Sequence, residues 1–133
     1  MKIEVLYSEV CNLSGDFQNV EYLRQSLPEA EFIFTSLTDA PYFAENRPNM
    51  VLMGTMTEAI QRRVIETLRP YRDRLEKLID DGVVFLMTGN ACEVFVKHID
   101  YVTEKLSVDG LGLFDLTAKT DLFHRYNGKF LGD

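Results

Sequence analysis

Short apolar runs recur along the chain, separated by longer stretches in which apolar residues fall three and four apart. "KIEVLY" (2–7), "AEFIFTSL" (30–37), "MVLM" (50–53) and "VVFLM" (83–87) have the length and composition of strands. "MVLM" is apolar throughout, as a strand buried on both faces must be. After the first run, Phe17, Val20, Tyr22, Leu23 and Leu27 recur at roughly a helical period. Asp16 is placed to cap that helix and Pro28 to stop it. "TEAIQRRVIETLRPYRDRLEKLIDDG" (57–82) reads as a long helix, broken or bent at Pro70, with Gly82 as its C-cap. "ACEVFVKHI" reads as the next helix. "GLGLFDLT" and "RYNGKFLGD" carry turn glycines and read as short strands and loops.

Strands alternating with helices predict one α/β domain over residues 1–133, three-layered around a mostly parallel sheet. The expected parallel strands include 3–7, 31–35, 50–53 and 83–87, with 83–87 in the sheet's interior. Sheets of this kind bind ligands at the carboxyl ends of their strands. Three loops fall at such ends, 8–16, 54–57 and 88–91, and the chemistry is sought there.

Composition narrows the function. The chain has 133 residues, 46% hydrophobic and 26% charged, with a net charge of −7. An acidic surface repels phosphate backbones, which disfavours nucleic acid as a partner. The positive charges of "RRVIETLRPYRDRLEK" alternate with acids at helical spacing and suit a solvated helix face. No apolar run approaches the ~20 residues needed to cross a bilayer. The first residues lack the apolar core of a secretion signal, so the expected location is cytoplasmic. Cys11 and Cys92 fit no zinc spacing and are expected as buried small hydrophobes; no metal or cofactor is expected.

"VVFLMTGNACEVF" (83–95) reads as a strand, a tight turn and a helix start. That is the layout of a nucleophile elbow. Gly89 gives the turn the small residue it needs. A helix N-terminus behind it would stabilise a thiolate or an oxyanion. Thr88, at the nucleophile position, is a poor nucleophile without a matched base and suits a helix N-cap better. Cys92 lies about one helical turn further on, pointing away from the strand tip. Neither His98, late in the expected helix, nor His124 is placed by sequence within reach of the turn.

Taken together, the segments resemble cobyric-acid-synthase-like class I glutamine amidotransferases, a family that includes the amidotransferase subunit of lipid II isoglutaminyl synthase. "LYSEVCNLSGDFQNVEYL" resembles the family's N-terminal signature through Leu6, Tyr7, Asn12, Gly15, Asp16 and Asn19. "VLMGTMTEAIQRRV" falls where the family has a glycine-rich loop that supplies an oxyanion-hole amide, with Gly54 its best match. "LIDDGVVFLMTGNACEVF" falls at the family's elbow, and "GLGLFD" matches a short segment after it. The likeness spans roughly residues 3 to 115. It implies a flavodoxin-like fold, Thr88, Gly89 and Gly54 at the catalytic positions, and Asn12, Asp16 and Asn19 on the substrate side.

The departures carry equal weight. The family's nucleophilic cysteine aligns with Thr88, its second glycine with Asn90 and its glutamine with Cys92. Its catalytic histidine lies on a later strand, and the chain stops at Asp133 before one is met. The expectation is therefore a fragment or degenerate homologue, lacking its last strands and the glutaminase nucleophile and base. Such a chain would act through a synthetase or ligase subunit, and the sequence leaves a homo-oligomer open. Two other readings stand beside it: a flavodoxin-like module binding a small anion or nucleotide, and a hydrolase using Thr88 or Cys92.

Overall fold

The computed structural model describes residues 1–124. Four strands, β1 (Lys2–Leu6), β2 (Glu31–Thr35), β3 (Met50–Met53) and β4 (Val84–Met87), form a wholly parallel sheet in the order β2-β1-β3-β4. Helix α1 (Phe17–Ser26) covers one face. Its Val20 packs on Val5 and Leu52, with Phe17, Leu23, Phe32 and Leu86 around them. Helices α2 (Glu58–Leu68) and α3 (Arg72–Asp80) cover the other, burying Val64, Ile65, Leu68, Leu75 and Leu78 against Leu6, Val51 and Met53. Alternation along β1 and β3 sends successive side chains to opposite helices, the period-2 rule for a sheet covered twice. The fold is thus α/β with all four expected parallel strands. Among the described residues, no helix is long and apolar enough to cross a membrane.

Pro70 divides the long helical stretch. Residues Arg69–Tyr71 form a 3-10 turn between α2 and α3, where a ring without an N–H cannot continue the α ladder. Gly82 closes α3 by donating to the Ile79 carbonyl. The arginines of this stretch do more than solvate a face. Arg69 and Arg72 donate to the carbonyls of Asp109, Gly110 and Leu111, and Arg74 to those of Phe43 and Asn46.

Two expectations fail. β4 lies at the edge of the sheet, not in its interior: its one strand neighbour among the described residues is β3. Residues 91–99 are not a helix. A 3-10 segment, Gly89–Phe95, leads directly into β5 (Val96–Tyr101), which pairs with β6 (Leu106–Asp109) and β7 (Phe114–Thr120) in a second sheet. The pattern "VKHIDY" explains the difference. Its buried residues Val96, Ile99 and Tyr101 interleave with half-buried or exposed ones, and the β-branched pair favours a strand. The reading of 110–117 as short strand and loop holds in β7, while "RYNGKFLGD" lies outside the described residues.

Glu4 sits fully buried in β1, an acid inside an otherwise apolar run. Its carboxylate accepts from Thr35 Oγ1 at 2.7 Å, Tyr42 N–H at 2.7 Å and Phe43 N–H at 2.9 Å, fastening the 42–44 turn to the sheet. Burial pushes its pKa above the ordinary 4.5, and the three donors oppose that shift. Because the folded state holds this proton more tightly, the group's contribution to stability falls as pH rises from 4.5 through the folded value. Glu4→Leu strands two buried donors and one half-buried donor and is expected to cost about 3 kcal/mol or more in urea unfolding. A loss below about 1 kcal/mol would show that the carboxylate is not the fastening.

Candidate functional site

The loop after β1 turns sharply at Tyr7, whose φ is +57°. Its carbonyl accepts from the Val10 and Cys11 amides, and the chain folds back over the end of β3. There the loop meets Gly54. A Cβ on Gly54 would lie 2.2 Å from the Cys11 carbonyl oxygen and 2.6 Å from Asp16 Cβ. Only the absence of a side chain lets the two segments lie so close.

That approach delivers Asp16, only 7% exposed, to the ends of the strands. Its Oδ2 accepts from Thr55 Oγ1 at 2.5 Å and from the Ser14 amide at 3.2 Å; its Oδ1 accepts from Thr88 Oγ1 at 2.5 Å. Burial alone would raise the Asp16 pKa, but the donors from Thr55, Thr88 and the loop amides together outweigh it. The carboxyl is held below its ordinary 3.8. Asp16 does not cap α1 with its side chain. Asn12 does, its Oδ1 accepting from the Phe17 amide at 2.8 Å.

The turn after β4 is locked just as tightly. Gly89 has a φ of +51°, and a Cβ there would meet Thr55 Cγ2 at 2.2 Å. The Asn90 amide group accepts from Met56 N–H at 3.1 Å and donates to the Met56 carbonyl at 2.8 Å. Buried Gln61 of α2 donates to the Asn90 carbonyl at 2.7 Å and Glu93 Oε2 at 3.0 Å, and accepts from Tyr101 Oη at 2.7 Å. Loops 8–16, 54–57 and 88–91 therefore form one hydrogen-bonded body.

Beside it opens a cleft of about 690 Å³, lined by Ser14, Thr55, Asn90, Glu58 and Glu93, by Lys119 near the end of β7, and by Asp121 and His124 just beyond it. Of the six residues singled out from sequence, Asp16, Gly54, Thr88 and Gly89 are brought together and Asn12 sits beside them. Asn19 lies one turn into α1. None of the six lines the cleft; Thr88 turns its hydroxyl to Asp16 and uses it there, not as a cap. Thr55, Asn90 and Gln61 were missed. The first two stand next to the glycines of the loops already suspected. The available signal for Gln61 is that it is the polar residue in α2's buried stripe of 61, 64, 65 and 68.

Cys11 is buried, and burial pushes its thiol pKa up to about 12. Cys92, expected buried, is exposed; its Sγ donates to the Gly89 carbonyl at 3.0 Å, on the far side of β4 from the cleft. His98 stands on β5, not in a helix. Its Nδ1 faces Asp109 Oδ1 at 3.1 Å, and its Nε2 faces Ser107 Oγ at 2.5 Å and Asp100 Oδ1 at 3.0 Å. The group looks like a Ser–His–Asp triad but is not wired as one. Ser107 gives its own proton to Asp100. Both ring nitrogens of His98 then face acceptors, an arrangement that favours the protonated ring and leaves neither nitrogen aimed at a Ser107 proton. His124 is exposed, paired through Nδ1 with Asp121 at 2.9 Å. Among the described residues, no group of three His, Cys, Asp or Glu is arranged to hold a metal ion.

No family model matches the sequence, and no curated protein matches it either.

The wiring of His98 has a measurable sign. The Asp109 contact, aided by Asp100, raises its pKa above the ordinary 6.5. Its contribution to β5–β6 pairing is full below 6.5 and is lost as pH rises through the folded value. A proton-NMR titration of the ring should give a midpoint above 6.5 that moves back toward 6.5 in Asp109→Asn. A midpoint at or below 6.5 in the unaltered chain would show that the two carboxylates do not favour the protonated ring.

Proposed function

We propose that the chain is a glutamine-amidotransferase-like domain that does not hydrolyse glutamine and works by binding a synthetase-type partner. The observation that carries this reading is the bond between Thr88 and Asp16. Attack on a carboxamide needs a thiolate or an activated hydroxyl at the elbow, with a base to move protons. The Thr88 proton is committed to a carboxylate whose depressed pKa makes it a poor base, and the hydroxyl is turned from the cleft. No cysteine lines that cleft among the described residues. His98 is occupied elsewhere, and His124 faces it with no thiol opposite.

The strand order supports a flavodoxin-like scaffold. β2-β1-β3-β4 is the beginning of that order, and the loops after β1 and β3 flank its switch point. The alternative, a module for a small anion or nucleotide, fits the cleft less well. Glu58, Glu93 and Asp121 outnumber Lys119 and His124 on its walls, and an acidic cleft repels anions.

Ammonia release from glutamine is expected to stay at the uncatalysed rate for the unaltered chain. Loss of a positioned base alone removes roughly 10²–10⁴-fold. Thr88→Cys is expected to react with a diazoketone analogue of glutamine faster than the unaltered chain does, still without turnover. Glutamine hydrolysis by the unaltered chain that disappears in Cys92→Ala would overturn the reading.

A further inference from the structure

Tyr7 is held in an unfavourable state in two independent ways. Its φ of +57° puts a bulky residue in the left-handed region that favours glycine. Its side chain is fully buried, yet its hydroxyl has no hydrogen-bond partner among the described residues. Each is uncommon in a folded chain. Outliers of this kind persist only where the surrounding structure forces them, and they gather at switch regions and ligand clamps. Tyr7 is also where the loop begins that blocks the strand ends. In a sheet ordered β2-β1-β3-β4, the crevice that takes ligands lies between the ends of β1 and β3. Residues 8–16 fill it. Among Ser8, Cys11, Asp16 and Gly54 a space of only about 10 Å³ remains, room for one water at most. Of the nine loop residues, only Cys11 and Asp16 are buried. Few bonds tie the loop to the rest of the sheet. The Leu13 amide donates to the Thr55 carbonyl and the Ser14 amide to Thr55 Oγ1. Glu9 Oε1 accepts from the Leu37 amide and from Ser36 Oγ, and the Asp16 carboxylate accepts from Thr55 and Thr88.

We propose that residues 8–16 are a lid, hinged at Tyr7 and latched by Asp16, that gates the crevice between β1 and β3. The closed lid is what holds Tyr7 in its strained form. When the lid lifts, the backbone at Tyr7 can return to negative φ and its hydroxyl can reach water. Opening therefore relieves both strains together and offsets part of the packing that is lost. The latch opposes this, because the bonds from Thr55 and Thr88 to the Asp16 carboxylate exist only while the lid is shut. A segment with few buried side chains and a handful of outside bonds is the kind that opens locally, without the rest of the domain. The open form uncovers Gly54, the Thr88 hydroxyl and the Cys11 thiol. The elbow still carries Thr88, so the lid can open whatever the chain does to glutamine.

Cys11 reports the motion, because it is buried in the lid while Cys92 is exposed. The test follows iodoacetamide labelling of Cys11 in the full chain carrying Cys92→Ser, relative to its rate in the urea-unfolded chain. That ratio measures opening. It should exceed the opening read from hydrogen exchange of the β3 amides at least about tenfold, and should change little in dilute urea, since a local opening exposes little surface. Tyr7→Phe removes the unpaired hydroxyl and should slow labelling about fivefold or more, the reverse of what an ordinary loss of a buried polar contact does. Asp16→Asn weakens the latch and should speed it about tenfold or more. Labelling that matches the β3 amides in extent and urea dependence would overturn the proposal, since Cys11 would then be reached only by global unfolding. So would faster labelling in Tyr7→Phe, or unchanged labelling in Asp16→Asn.

Discussion

The carboxylate of Asp16 is the one point at which three separate loops meet. It takes hydroxyl protons from Thr55, in the loop after β3, and Thr88, in the turn after β4, while sitting itself in the loop after β1. Charge-assisted bonds of this kind are each worth about 1.5–3 kcal/mol in a partly dry setting. The geometry that allows them is steric. Gly54 lets the first loop descend onto β3, and Gly89 lets the turn after β4 pass Thr55. A side chain at either position would part the loops before any hydrogen bond could form.

One consequence concerns chemistry. A strand-end loop cluster in a parallel sheet is where such folds place reactive groups. Here the two hydroxyls nearest the strand tips are directed inward, at a carboxylate already stabilised as the anion. The arrangement ties the three loops together and, on the reading proposed above, leaves neither hydroxyl free to attack. The polar cleft beside the cluster has Glu93 and His124 on its walls and, among the described residues, no thiol.

The legible parts of the sequence were those governed by local pattern. β1 to β3, α1 and the break at Pro70 followed from periodicity and one proline, and the three strand-end loops were found because parallel sheets dictate where they fall. The misreadings were non-local. "ACEVFVKHI" has apolar residues that fit a helix or a strand, and the pairing of Ile99 with β6 and β7 decided between them. The position of β4 at an edge depends on what lies beyond it, which an apolar run cannot announce. Asp16 was noticed as a cap because capping is a local role. Its real partners are 39 and 72 residues away. Gln61 and Glu4 could have been found, since each is a polar residue at a buried phase of an otherwise apolar pattern.

The coupling between Asp16 and Thr88 is therefore the quantity to measure. A double-mutant cycle of Asp16→Ala and Thr88→Val, followed by urea unfolding, isolates it from whatever each residue contributes alone. A coupling of about 1–3 kcal/mol is expected for groups in one hydrogen-bonded network. Effects that add to within about 0.5 kcal/mol would mean that the two residues act independently. Thr88 would then not be held by Asp16, and the explanation for an unreactive elbow would fall with it.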